Sequence, residues 1–150
     1  MHCASLMRAR DVMTRTLVTC HDSETLVGAA KTMAQYEVGA LVVLDANGAL
    51  VGIVTDRDLC LALADDDRTR TVRSIMAPVV IWVRPGQTIE QVEALMAKHR
   101  VHRVPVVDSD RVPIGIISLG DLAVGACKAG DSRDRVAVTR TLAEIHGSRV

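Results

Sequence analysis

Two short stretches of the sequence set a hydroxyl and a carboxylate at a fixed spacing. Gly52-Ile53-Val54-Thr55-Asp56-Arg57-Asp58 and Gly115-Ile116-Ile117-Ser118-Leu119-Gly120-Asp121 both reduce to G-h-h-[ST]-x-x-D, where h is apolar. The apolar part reads as the end of a strand, and the Asp opens a helix. Two chemistries fit this pattern. As a capping box, the hydroxyl caps an orphan backbone N–H and the carboxylate sits at the positive end of the helix. As a ligand site, exposed N–H groups and a hydroxyl at a helix start suit a phosphate. A carboxylate one turn away can accept both hydroxyls of a ribose. The residues alone leave both open.

The other reactive side chains form no catalytic set. No G-x-S-x-G, Walker loop or G-x-G-x-x-G is present, and no cysteine or serine has a base at a telling spacing. His99 and His102 fall on either side of a helix-to-strand turn, and Cys20-His21 has no second pair, so no metal site is expected. No enzyme activity is expected either. The run Lys98-His99-Arg100-Val101-His102-Arg103 is the densest positive stretch. Cations at the C-terminal end of a helix are favoured by its dipole. Binding of nucleic acid or a protein through this run is the alternative, and it would be steeply salt-dependent.

The elements that position these residues repeat. Shifted by 63 positions, the sequence matches itself without a gap, and 12 of the 55 pairs from Arg10 to Ala64 are identical. Val12-Met13 falls on Ile75-Met76, Thr25-Leu26 on Thr88-Ile89, Gly52-Ile53 on Gly115-Ile116 and Asp58-Leu59 on Asp121-Leu122. A gapless register over this length marks two copies of one unit. Each copy predicts a short strand (Leu17-Val18; Val79-Val80-Ile81) and a start signal (Asp22-Ser23-Glu24; Pro85-Gly86). A helix follows, with one buried face made of Leu26, Ala29, Ala30 and Met33, or Ile89, Val92, Leu95 and Met96. Next comes a strand covered on both faces (Ala40–Leu44; Val104–Val107), then a turn (Asp45–Gly48; Ser109–Arg111) and a return strand (Leu50–Val54; Ile114–Ile117). A second helix closes each copy, Leu59–Ala64 and Leu122–Ala126. The fold class is α/β (α+β), with two β-α-β-β-α units that bury their sheets by packing on each other. The expected boundaries are 8–66 and 72–130, with a polar linker at 67–71. A tail at 131–150 is expected to be partly disordered or a short helix.

This duplicated unit resembles a tandem pair of CBS domains, named after cystathionine β-synthase. The resemblance covers roughly residues 8–128. It rests on the paired Val12-Met13 and Ile75-Met76, the two Thr-led helix starts, Val101-His102-Arg103-Val104-Pro105-Val106-Val107, and both G-h-h-[ST]-x-x-D ends. It implies an intramolecular pseudo-two-fold pair, often dimerised further. It also implies a regulatory module that binds adenosine-containing ligands (AMP, ADP, ATP, NAD or S-adenosylmethionine) in clefts between the paired units. By position, Asp58 and Asp121 would hold ribose hydroxyls, and Thr55 and Ser118 would meet phosphate or ribose. Main chain near Val18, Val38, Gly39 and Ala40 would contact adenine in one cleft, and main chain near Ile81, Val101 and Arg103 in the other. His102 and Arg103, with Arg57 as their counterpart, are candidates for phosphate contact. Met13 and Met76 would line the cleft mouths. Copy one departs from the family at Val42, where Pro105 keeps the usual Pro. Trp82 stands opposite Thr19 and is expected to pack at the interface between copies.

Composition narrows the function. Lys+Arg and Asp+Glu are both 18, so the chain is neutral, which disfavours a nucleic-acid binder working by bulk charge. Tyr36 and Trp82 are the sole aromatic residues, so base stacking has little to use. The copies differ in charge: residues 10–64 carry 4 basic and 7 acidic side chains, residues 73–127 carry 6 and 5. No apolar run approaches the ~20 residues of a membrane span, and the N-terminus lacks a signal-peptide core. Four scattered cysteines without CxxC suit a reducing, cytoplasmic setting. The resemblance implies an adenine nucleotide as the ligand, with no cofactor required. The expected partners are a second copy of the chain and an effector protein acted on in trans. A ligand-free dimerisation scaffold, with both Asp residues acting as caps alone, is the alternative.

Overall fold

The computed structural model describes residues 7–67, 69–77 and 81–129. Its elements run α1 (Ala9–Val12), β1 (Thr19–His21), α2 (Leu26–Tyr36), β2 (Ala40–Leu44), β3 (Leu50–Thr55), α3 (Asp56–Ala62), a 3-10 turn (Val72–Ser74), α4 (Ile89–His99), β4 (Arg103–Val107), β5 (Pro113–Ser118) and α5 (Leu119–Ala129). They gather into two compact units. One holds Thr16–Ile81 with Ser109–Pro113; the other holds the chain up to Arg15, Trp82–Asp108 and the chain from Ile114 on.

In the first unit β1, β2 and β3 form a sheet in that order, β1 parallel and β3 antiparallel to β2. The central strand is buried at Leu41, Val42 and Val43, while β3 alternates buried and half-buried residues. This is the pattern of a middle strand beside one with a single core face. The turn between β2 and β3 closes with Asp45 Oδ1 accepting from the N–H groups of Asn47 and Ala49, and with Gly48 at φ +79°. A left-handed backbone there favours glycine. Helix α2 starts where Thr25 Oγ1 accepts from Gly28 N–H at 3.0 Å. It ends in a left-handed Glu37, after which Val38 N–H returns to the Met33 carbonyl. Its buried residues are Ala29 and Met33. Ala30, expected on the buried face, is exposed, because the sheet takes a narrower stripe than the spacing suggested.

The second unit repeats the design. Thr88 and Gln91 form the capping box of α4, and Arg100 takes the left-handed position that Glu37 holds in copy one. Val92 and Met96 are buried, while Ile89 and Leu95 are half-buried. Strand β4 is buried from Val104 to Val107 and pairs with β5.

Several expected boundaries move. The first strand is Thr19–His21, two residues beyond Leu17-Val18, because Cys20 is the residue that reaches the core. Val18 still contributes its carbonyl, which accepts from Val42 N–H. In copy two the matching strand is a single parallel bridge, Val83 with Val106. Val79 and Val80 lie outside the described residues, as does the tail 131–150. The closing helices begin at Asp56 and Leu119, three residues before Leu59 and Leu122, because each Asp of the motif sits at the third helical position.

Packing groups the chain otherwise than the repeat does. The segment led by Ala9 packs with copy two: Ala9 N–H donates to Gln87, Arg10 N–H to Pro85, and Thr14 and Ile116 exchange both backbone bonds. The matching segment around Val72 packs with copy one: Val72 N–H donates to Glu24, Arg73 N–H to Asp22, and Ala77 N–H to Ile53. Met13 lies over Gly115 and Met76 over Gly52, so closely that a Cβ on either glycine would meet the methionine sulfur at 2.5 or 2.7 Å. Met13 is accordingly buried and Met76 half-buried against a strand glycine.

Candidate functional site

The two motif ends fold identically. Thr55 N–H and Oγ1–H both donate to Asp58 Oδ2, at 2.8 and 2.7 Å, and Asp58 N–H donates to Thr55 Oγ1 at 3.2 Å. Ser118 and Asp121 repeat these bonds at 2.7, 2.8 and 3.1 Å. The capping chemistry is therefore realised in both copies. Its bonds fall on one carboxylate oxygen, Oδ2, which leaves Oδ1 of each Asp outside the cap, and Oδ1 of Asp121 also accepts from Thr14 Oγ1–H. All four side chains are half-buried, so each carboxylate is positioned by the cap yet open to solvent on one side.

Main chain meets each box from the preceding helix-to-strand turn. Asp56 N–H donates to the Gly39 carbonyl at 3.1 Å, and Leu119 N–H donates to the His102 carbonyl at 3.1 Å. Ala40 lies opposite Thr55 in the β2–β3 ladder. Val38, Gly39, Ala40, Thr55 and Asp58 thus collect at one end of the first unit's sheet, beside the strand entry at Val18. Val101, His102, Ser118 and Asp121 collect in the second unit by the same bonds. Arg103 follows directly as the first, exposed residue of β4. Arg57 is exposed on the first turn of α3. Ile81 is half-buried and is grouped with the first unit, while Val101 and Arg103 belong to the second.

The family profile for the CBS domain matches residues 9–65 and 72–124. The chain belongs to the CBS-domain family. Among relatives of this CBS pair, the CBS domain-containing protein YhcV of Bacillus subtilis is 37% identical over 118 residues, which is 77% of this chain and 82% of that protein. Two solved CBS structures are similar throughout. The CBS domain pair of protein MJ0100, in complex with 5'-methylthioadenosine and S-adenosyl-L-methionine, is 29% identical at a TM-score of 0.73, covering 83% of this chain and 98% of that one. CBSX2 in complex with AMP is 28% identical at a TM-score of 0.73, covering 83% and 99%.

One residue beside the motif was not legible from the spacing. Thr14 Oγ1–H donates to Asp121 Oδ1 at 3.4 Å, reaching the CBS box of copy two from the exchanged N-terminal segment. Its counterpart 63 residues on is Ala77, which has no hydroxyl to offer. Trp82, set opposite Thr19, is half-buried with the Arg84 guanidinium 5.1 Å from its ring centre. That cation–π contact lies within the second unit.

Asp22 is buried and accepts from both Nε and Nη2 of Arg73. In copy two Pro85 replaces this acid, and the clasp is made by main chain and by Arg8 Nη1 on the Gly86 carbonyl. Cys20 has its thiol pushed up from 9.0 to about 11, chiefly by burial and further by the charges of Glu24 and Asp22. It is an inert core thiol rather than a nucleophile. No helix among the described residues is long and apolar enough to cross a membrane.

Proposed function

We propose that this CBS pair is a regulatory module that binds adenosine-containing ligands through its two Ser/Thr–Asp boxes. Asp58 and Asp121 accept the ribose hydroxyls on Oδ1. Thr55 and Ser118 sit beside the sugar or phosphate. Main chain at Val18, Val38, Gly39 and Ala40, and at Ile81, Val101 and Arg103, meets adenine. Arg57 and Arg103 supply the positive charge for phosphate, with His102 beside Arg103. The observation that carries this reading is the duplicated box: each carboxylate is fixed by the cap through Oδ2 with Oδ1 outside it, and at Asp121 a ribose hydroxyl would share Oδ1 with Thr14. The complexes of MJ0100 with methylthioadenosine and S-adenosylmethionine, and of CBSX2 with AMP, support the ligand class.

The module works without chemistry of its own. Ligand binding shifts an equilibrium between arrangements that an effector protein senses, which requires different affinity for each arrangement. Exposed apolar side chains on α2 (Val27, Tyr36) and at the end of α3 (Leu61, Leu63) favour association with a second copy. Calorimetric titration with AMP, ADP, ATP, NAD and S-adenosylmethionine tests the ligand assignment. Asp58→Ala with Asp121→Ala should abolish binding. Unchanged binding in that double variant would overturn the ribose role.

A specific observation favours a second reading. Each box is a complete helix cap built from its own Ser or Thr and Asp, which suits a dimerisation scaffold whose Asp residues serve as caps alone. On that reading each Asp→Ala change costs about 0.5–2 kcal/mol as a lost cap, and no adenosine compound raises the melting temperature.

A further inference from the structure

The two boxes share one backbone and carry opposite surroundings. In copy one the turn into the central strand reads Glu37-Val38-Gly39-Ala40, and the helix starts Asp56-Arg57-Asp58. In copy two the same positions read Arg100-Val101-His102-Arg103 and Leu119-Gly120-Asp121. The scaffold beneath them is the same. Glu37 and Arg100 both sit in the left-handed conformation, at φ 52° and 54°. Val38 and Val101 donate to Met33 and Met96, and Gly39 and His102 accept from Asp56 and Leu119. Charge is what differs: three acids and one cation surround the first box, and two arginines, a histidine and one acid surround the second.

Glu37, Asp56, Arg57, Arg100 and Arg103 are all exposed. The helix start of copy two is also bare. A Cβ at Gly120 would meet Ser118 Oγ alone, at 3.5 Å, where copy one carries the Arg57 side chain. A multiply charged anion is repelled by the first set and attracted by the second.

We infer that the two boxes divide the ligands by charge. The Ser118–Asp121 box takes adenosine polyphosphates, held through Arg100 and Arg103. The Thr55–Asp58 box, where Arg57 is the one cation among three acids, prefers adenosine compounds of low negative charge. This rests on the adenosine reading above and adds its specificity.

The test is calorimetry with ATP and with adenosine, at low and at high salt, on single-box forms. Asp58→Asn leaves the second box intact, and Asp121→Asn leaves the first. In Asp58→Asn, ATP should bind roughly tenfold or more tighter than adenosine at low salt, and the preference should shrink at about 1 M salt, where the screening length falls to ~3 Å. In Asp121→Asn, adenosine should bind at least as well as ATP.

Arg100→Glu in the intact protein guards against misfolding of the box variants, since Glu37 already occupies that backbone conformation. It should weaken ATP roughly tenfold and leave adenosine unchanged. The same ATP-to-adenosine ratio in both single-box forms, or an Arg100→Glu effect equal for both ligands, would overturn the division while leaving the adenosine reading intact. Binding of neither compound by the intact protein would overturn both.

Discussion

Gly115→Ala is the sharpest probe of how the exchanged segments are held. The new Cβ would lie 2.5 Å from Met13 Sδ, 2.9 Å from Cγ and 3.1 Å from Cβ. A methionine can swing its sulfur aside, but its Cβ moves only with the backbone. That backbone is pinned by the Met13 N–H bond to Ala9 and by the paired bonds of Thr14 with Ile116. Overpacking at such a site costs about 1–3 kcal/mol, offset by ~0.4–1 kcal/mol of lost chain entropy in the unfolded state. At Gly52 the nearest atoms are Met76 Sδ at 2.7 Å, Cγ at 3.1 Å and the Ala77 carbonyl oxygen at 3.3 Å. The flexible end of Met76 bears most of that clash, so Gly52→Ala should cost less. Met13→Ala alone opens a cavity worth about 2–5 kcal/mol. The double variant Gly115→Ala/Met13→Ala should be less destabilised than the sum, since the added methyl enters the space the methionine left. Urea unfolding at constant m-value measures all three. Additivity within about 0.5 kcal/mol would refute the packing of Met13 on Gly115.

Three further outcomes follow from the same geometry. Thr55→Val removes the hydroxyl that both accepts from Asp58 N–H and donates to its carboxylate, and should lower stability by about 0.5–2 kcal/mol in thermal unfolding. Arg73→Ala strips the guanidinium from buried Asp22 and should cost about 1–3 kcal/mol, while Arg10→Ala, which faces Pro85 in place of an acid, should cost less. Alkylation followed by mass spectrometry should label exposed Cys60 well before Cys20. The neutral Cys20 thiol favours the folded state fully below pH 9, and that contribution is lost as pH rises through about 11. Equal labelling of both cysteines at neutral pH would contradict the buried thiol.

Much of this architecture is written in local chemistry. The Thr25 and Thr88 caps, the Asp45–Gly48 turn, the doubly covered strand at Ala40–Leu44 and both motif ends can be read in the sequence because each depends on neighbours a few residues away. Other features depend on distant partners. A 63-residue register looks the same whether Val12-Met13 packs on its own copy or on the other, so the exchange onto Gly115 leaves no trace in the spacing. Ala30 matches the helical period, yet whether it is covered depends on the width of the sheet beneath α2. The helix starts lie three residues early because the acid of a capping box is the third helical residue rather than the first. The role of Thr14 leaves no local signal, because its hydroxyl reaches Asp121 across more than a hundred residues of chain.

Adenosine binding can be read out by a thermal-shift series. The protein is heated with AMP, ADP, ATP, NAD or S-adenosylmethionine at millimolar concentration, beside guanosine controls. A ligand at 100-fold over its Kd adds about 2.7 kcal/mol, which for a chain this long moves Tm by roughly 5–10 °C. Such a shift is expected with at least one adenosine compound and with none of the guanosine controls, and it should be lost in Asp58→Ala/Asp121→Ala. No shift with any adenosine compound would contradict adenosine binding and leave the two carboxylates as helix caps.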